Sequence, residues 1–417
     1  MNARRLRLAL PLALASTALP AGSAPSGGPE TQVWIDVATH HQAGMPDMGS
    51  MMGGMGGIAA KMMGGGQGAI GYPDARHPVF TGKFFDVAML NTLDPGKPAE
   101  QQVPAALGLG AALPLLPPTA SRGDEVGGPT EMPDGEIHIK YYWGCGTAVR
   151  AGQPRETHMR AKGGRFELSG DPMQGRYAPE RGIRPNPSYV LWPNPRTANR
   201  APASASLVGQ HRITGPGVPE SLKFELQQAA DFMPKIALTQ SGELASGLTL
   251  GWQPVERAKA YFLHGISLQD KTIVIWSSAE VPDAGQGVVD FLTGAQVDRW
   301  LKEKVLLAPS TTSCAIPAGI FADAASGQAS PGILSMIAYG PETHIAWPPK
   351  PADPKQPWDP EWNVRIRTKS TAGALLGMDL SGMDGMDAGD AAAPQGQPQK
   401  PEEGATKKLL RGLLRNL

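Results

Sequence analysis

The stretch "GLTLGWQPVERAKAYFLHGISLQDKTIVIWSSAEV", residues 247–281, decides the fold. Leu248, Leu250 and Trp252 recur at every second position, the period of a strand with one buried face, and Pro254 ends the run. Tyr261 and Leu263 belong to a next strand, and Ile273, Ile275 and Trp276 to a third. Short apolar runs separated by turn residues at this spacing predict an antiparallel β-sandwich.

Working outward toward the C-terminus, "TGAQVDRWLKEKVL" breaks the strand pattern. Thr293 with Gln296 three residues on forms a capping-box pattern, and Val297, Trp300, Leu301 and Val305 recur at helical spacing. A helix over 294–305 is therefore expected, inserted in the sandwich. Strands are expected again in "TTSCAIPAGIF", "GILSMIAYG", "THIAWPP" and "EWNVRIRTKS", so that residues 231–372 read as one domain. Its opening segment resembles a fibronectin type III-like domain, on Trp252, Pro254, Ala258 and Tyr261. The resemblance spans about 15 to 35 residues by the strand-and-turn pattern. It implies a β-sandwich used for spacing and binding, and brings no catalytic residue with it.

Toward the N-terminus, "TQVWIDVAT" (31–39) alternates Val33, Ile35 and Val37, and "GKFFDVAML" (82–90) is a further strand candidate. In "GEIHIKYYWGCG" (135–146), Ile137, Ile139 and Tyr141 share one face while His138, Lys140 and Tyr142 share the other. Trp143 and Cys145 are expected to continue the first face. "GRFELSG", "ASLVGQHRITG" and "SLKFELQ" read as short strands, and the Pro- and Arg-rich region 172–203 as a long surface loop. Residues 25–230 thus read as a β-rich domain carrying a Met/Gly-rich loop at 45–66. The expected fold class is mainly β: two antiparallel β-sandwich-like domains, one short helix and low-complexity segments.

Residues 1–24 have the pattern of a secretory signal. Arg4, Arg5 and Arg7 precede the apolar run Leu8–Leu19, and Gly22, Ser23 and Ala24 supply small residues for cleavage. A periplasmic or secreted protein is expected. The 38 basic and 38 acidic residues cancel, which argues against a nucleic-acid partner. The two cysteines, Cys145 and Cys314, either pair in an oxidising compartment or are buried as separate thiols.

Ten of the 17 methionines fall in two tracts, "MPDMGSMMGGMGGIAAKMMGGG" and "MDLSGMDGMD". Met45, Met48, Met51, Met52, Met55, Met62 and Met63 are interleaved with glycine, and His40 and His41 lie just upstream. Thioether sulfur is a soft neutral ligand that favours Cu(I), whereas imidazole suits Cu(II) or zinc. The second tract, with Met378, Asp379, Ser381, Met383, Gly385, Met386 and Asp387, is similar to the Met/Asp repeats of multicopper oxidases of bacterial copper-resistance systems. That similarity implies a copper ligand set at Met378, Met383 and Met386, although Leu380 and Gly385 stand where the family usually has His. The competing reading of both tracts is low-complexity sequence without a ligand.

Residues 373–405 are expected to be a disordered tail, since they contain almost no bulky apolar residue. In 406–417, Leu409, Leu410, Leu413, Leu414 and Leu417 fall on one helical face, with Lys407, Lys408, Arg411 and Arg415 around it. Such a basic amphipathic segment suits a membrane surface or a protein partner's groove, or else packs on its own protein. Trp347, Trp358 and Trp362 lie in a Pro-rich stretch and offer rings on which sugars stack, with Trp358 and Trp362 the expected glycan contacts. His211, His264 and His344 each stand alone in strand-like segments. No catalytic motif is recognisable, since G-x-S-x-G, H-E-x-x-H and P-loop patterns are missing and Gly108-Leu109-Gly110 has no third glycine. The expected function is an exported envelope binding protein, with copper or another soft metal as its ligand. The alternative is a structural or glycan-binding module.

Overall fold

The computed structural model describes residues 28–42, 72–76, 81–118, 135–162, 165–178, 183–194, 197, 201–269, 271–285, 287–322 and 330–377. The Met tracts and the C-terminal segment lie outside these residues. The chain is mainly β, as its alternating sequence predicts. Its first strands are β1 (Thr31–Gln42), β2 (Gly82–Asn91), β3 (Ala99–Gln102), β4 (Ala112–Leu115) and β5 (Gly135–Trp143). Next come β6 (Arg155–Lys162), β7 (Arg165–Gly170), β8 (Tyr189–Trp192), β9 (Gly209–Thr214) and β10 (Lys223–Leu226). They are followed by β11 (Leu238–Glu243), β12 (Gly247–Trp252), β13 (Ala260–Gln269) and β14 (Thr272–Ser277). Helix α1 (Gly294–Lys302) precedes β15 (Ser313–Ile316), β16 (Gly332–Trp347) and β17 (Trp362–Leu376).

Ten strands form one sheet in the order β7-β6-β5-β14-β13-β16-β17-β1-β2-β8. Two smaller sheets, β10-β9-β3-β4 and β11-β12-β15, each cover part of one face. Under the first, Val33, Ile35, Val87, Val364 and Ile366 meet Leu113, Ile213 and Phe224. Under the second, Tyr261, Leu263, Trp276 and Met336 meet Leu248, Leu250 and Trp252. Trp252 and Tyr261 stand edge-on across this interface, 5.5 Å between ring centroids.

The boundary expected at residue 230 is corrected. β1, the first strand among the described residues, pairs in parallel with β17, the last of them, in the register Asp36↔Arg367, and β5 pairs in parallel with β14. The long strand β17 serves both cores, through Trp362–Ile366 in one and Ala372–Leu376 in the other. Two sandwich-like units therefore share one sheet and draw on both lengths of the chain. Local periodicity cannot reveal this, because pairing between strands so distant in sequence leaves no mark in a short window.

α1 packs Val297 and Trp300 against Phe262, Ile337 and Tyr339 on the opposite face of the large sheet. Thr293 caps it by accepting from the Gln296 N–H at 3.2 Å, and the Glu342 carboxylate accepts from Gly294 N–H at 2.8 Å. Both occupy the electropositive end of the helix. The helix stops at Lys302, short of the expected 305. Lys304 turns left-handed at φ 60°, and Val305 N–H donates back to the Trp300 carbonyl, which closes a Schellman motif.

Candidate metal centre

The outer strands β5 and β6 carry matching sequences, Glu136-Ile-His138-Ile-Lys140 and Glu156-Thr-His158-Met-Arg160. Antiparallel pairing sets Glu136 opposite Arg160, His138 opposite His158, and Lys140 opposite Glu156. Directly opposed residues point to the same side of a sheet, so six polar side chains form three cross-strand pairs on one face. The two imidazole rings meet edge to face, 4.5 Å between centroids. Arg160 lies 3.5 Å from Glu136, and Lys140 3.8 Å from Glu156.

Glu136, His138 and His158 bring one ligand atom each within 4.8 Å of the others. Glu136 Oε1 lies 3.9 Å from His138 Nε2. The side chains of His138 and Glu136 are 42 % and 41 % exposed, so small rotations about χ1 and χ2 are unhindered by a packed core. Ligands about 2.0–2.2 Å from a zinc or copper ion stand roughly 3.3 Å apart, within reach of such adjustments. Two neutral imidazoles and one carboxylate suit borderline divalent transition metals, and three ligands on an open face leave positions for water or another donor.

The far ends of these strands are fixed. Gln153 donates to the Trp143 carbonyl at 2.9 Å and accepts from its N–H at 3.2 Å, closing the β5–β6 connection. Trp276 Nε1 donates to the Gly144 carbonyl. Cys145 and Cys314 form a disulfide that joins this connection to β15 in the three-stranded sheet. The face expected for Cys145 is corrected: β5 ends at Trp143, Gly144 adopts φ 94°, and Cys145 packs on the same side as Tyr142. A residue with a Cβ would be strained at that φ.

His40 and His41, expected among the metal ligands beside the first Met tract, stand on opposite faces of their strand. Both are buried in β1, where neighbouring side chains point to opposite faces and cannot converge on one ion. His40 is already engaged, with Nδ1 2.7 Å from Thr371 Oγ1 and Nε2 3.1 Å from the Ala75 carbonyl. Met45, Met48, Met51, Met52, Met55, Met62, Met63, Met378, Met383 and Met386 lie outside the described residues. Trp362 is corrected as a glycan contact: it is 2 % exposed in the first core and donates to Ser221. Trp358 is 38 % exposed, and Trp347, at the end of β16, is 50 % exposed.

A second polar group lies on the same side of the large sheet as α1, across β2, β1 and β17. Asp36 takes a bidentate pair of bonds from Arg367, at 2.8 and 2.7 Å, and both are buried. Asp86 lies in register with Asp36 and accepts from the N–H groups of Asp74 and Ala75. Burial, then the Asp36 charge, pushes the Asp86 carboxyl well above its ordinary value. Lys369 Nζ donates to the Arg76 carbonyl and lies 4.1 Å from the Phe291 ring centroid, and burial pushes its ammonium down to about 8. This group is closed over and internally satisfied, unlike the open row on β5 and β6. No protein-family model, curated protein or solved structure matches the chain.

Proposed function

We propose that this chain is an exported cell-envelope binding protein that holds one divalent transition-metal ion, copper(II) or zinc(II), on Glu136, His138 and His158. The convergence of their three ligand atoms within 4.8 Å carries this reading. The leader-like residues 1–24 and the Cys145–Cys314 disulfide support an oxidising destination outside the cytoplasm. Copper is the preferred ion, since divalent affinity for nitrogen and oxygen donors peaks at Cu(II). The Met tracts would add soft sites for the reduced ion. The fibronectin type III-like resemblance of residues 247–281 fits a binding role and adds no chemistry of its own.

Equilibrium titration of the metal-free full chain tests the proposal. One equivalent of Cu(II) is expected to bind with an electron paramagnetic resonance signal of nitrogen ligation. The pair His138→Ala and His158→Ala is expected to abolish it. Undiminished binding in that variant, or no binding by the parent, overturns the assignment. A glycan-binding reading keeps one favourable observation, the exposed rings of Trp347 and Trp358. It predicts oligosaccharide binding that is lost in Trp347→Ala with Trp358→Ala and unaffected by metal.

A further inference from the structure

Among the described residues, the face of the large sheet that carries α1 is covered only in part. α1 and the loop around Gly285 lie over Phe262, His264 and Ile337. Beyond them an apolar stripe crosses β7, β5, β14, β13 and β16 through Leu168, Ile137, Ile139, Ile273, Leu268 and Ile333. Leu168 and Ile137 both stand opposite Met159 of β6. The registers Ile139↔Ile273, Ile273↔Leu268 and Ile266↔Ile333 carry the same side of the sheet onward. Leu168 is 60 %, Ile333 44 % and Leu268 37 % exposed. Contiguous exposed apolar rows of this kind mark surfaces that something covers.

We propose that the stripe is the docking site for this chain's own residues 407–417. The place where the chain leaves the sheet is the first argument. Leu375 pairs with Ile333 at the edge of the stripe, and Gly377, just beyond it, is the last described residue. The sequence that follows supplies a matching surface, the five leucines at 409–417 spaced for one helical face. As a helix this segment would be about 16 Å long. The stripe, five strand spacings across, is about 24 Å wide.

Reach is the third argument. Residues 378–406, rich in Gly, Ala and Pro, separate Gly377 from Lys407 in sequence. A connection of that length and composition reaches roughly 30 Å, close to the width of the stripe, which corresponds to about millimolar effective concentration for the segment. An intramolecular contact then outcompetes a distant partner of equal intrinsic affinity.

A benzophenone photocrosslinker placed at position 333 of the mature full chain tests this, with position 347 at the far end of β16 as control. The side chains at both positions are exposed, so the substitutions spare the core. The expected result is a cross-link within one chain from position 333 to residues 407–417. It should be lost in Leu413→Asp with Leu414→Asp, and should not form from position 347. Cross-links from position 333 to a second isotope-labelled copy, to another segment, or to the lipid of added phosphatidylglycerol vesicles would each overturn the proposal. So would the lack of any cross-link to residues 407–417.

Discussion

Two strands of the same sheet read alike and do opposite things. In β17, Val364 and Ile366 alternate with Arg365, Arg367 and Lys369; in β5, Ile137 and Ile139 alternate with Glu136, His138 and Lys140. Both place their aliphatic residues on one face and their charged residues on the other. In β17 the charged row is roofed by Phe291 and the Asp74–Arg76 turn, and the Arg367 side chain is only 2 % exposed. In β5 the charged row lies open, with His138 42 % exposed. A roofed row must satisfy its own charges and becomes structure, whereas an open row keeps lone pairs that a ligand can take.

The largest effect follows from the roofed row. Asp36→Ala leaves the Arg367 guanidinium buried without its bidentate partner and is expected to cost about 3–5 kcal/mol of unfolding free energy. Glu136→Ala, which removes a half-exposed partner of Arg160, is expected to cost below about 1 kcal/mol. Urea unfolding of both variants checks this. Equal losses would break the contrast between the two strands.

A pH measurement sharpens it. His264 of β13 is buried beneath the Gly285 loop, and its Nε2 has no hydrogen-bond partner. Burial, opposed by a hydrogen bond with the Ala284 backbone, holds its imidazole down to about 4. The unfolded chain therefore binds more protons than the folded one between about pH 6.5 and 4, and stability falls as pH drops through that window. The full contribution is about 3 kcal/mol. Asp86, with its raised carboxyl, acts in the opposite sense, so the informative quantity is the difference between the parent and His264→Gln. That difference is expected to shrink as the pH falls from 7 to 4.5, and a constant difference would remove His264 from the linkage.

These contrasts also mark what was legible in the sequence. The strand alternation around Trp252 and Tyr261, the Thr293 cap and the β character of the whole chain follow from local chemistry. Sheet partners did not, because β1 and β17 meet from opposite ends of the strand order. His40 and His41 are adjacent in sequence, but strand geometry turns them to opposite faces of β1. His138 and His158 stand on separate strands, so no H-x-H spacing marks them. The available signal was the repeated Glu-x-His-x-basic pattern of 136–140 and 156–160. It becomes a site only if the two strands pair antiparallel with His opposite His.

The smallest expected change in stability tests the proposed site most directly. Arg160 lies 3.5 Å from Glu136 and is itself exposed, so Arg160→Ala should alter unfolding by about 0.5 kcal/mol or less. The same substitution acts in the other direction on metal affinity. Arg160 holds Glu136 through Oε2 while Oε1 faces His138, so the guanidinium draws charge from the carboxylate that would ligate. Release from a half-exposed ion pair of this kind is worth up to about 1 kcal/mol. Removing Arg160 is therefore expected to tighten Cu(II) binding by as much as about fivefold. Lys140→Ala, on the Glu156 side of the histidines, should give a smaller gain, because Glu156 lies outside the converging triad. Equal gains from both substitutions would mean that lower local positive charge, and not release of Glu136, sets the affinity. The carboxylate would then lose its place in the ligand set, leaving a site made of two histidines.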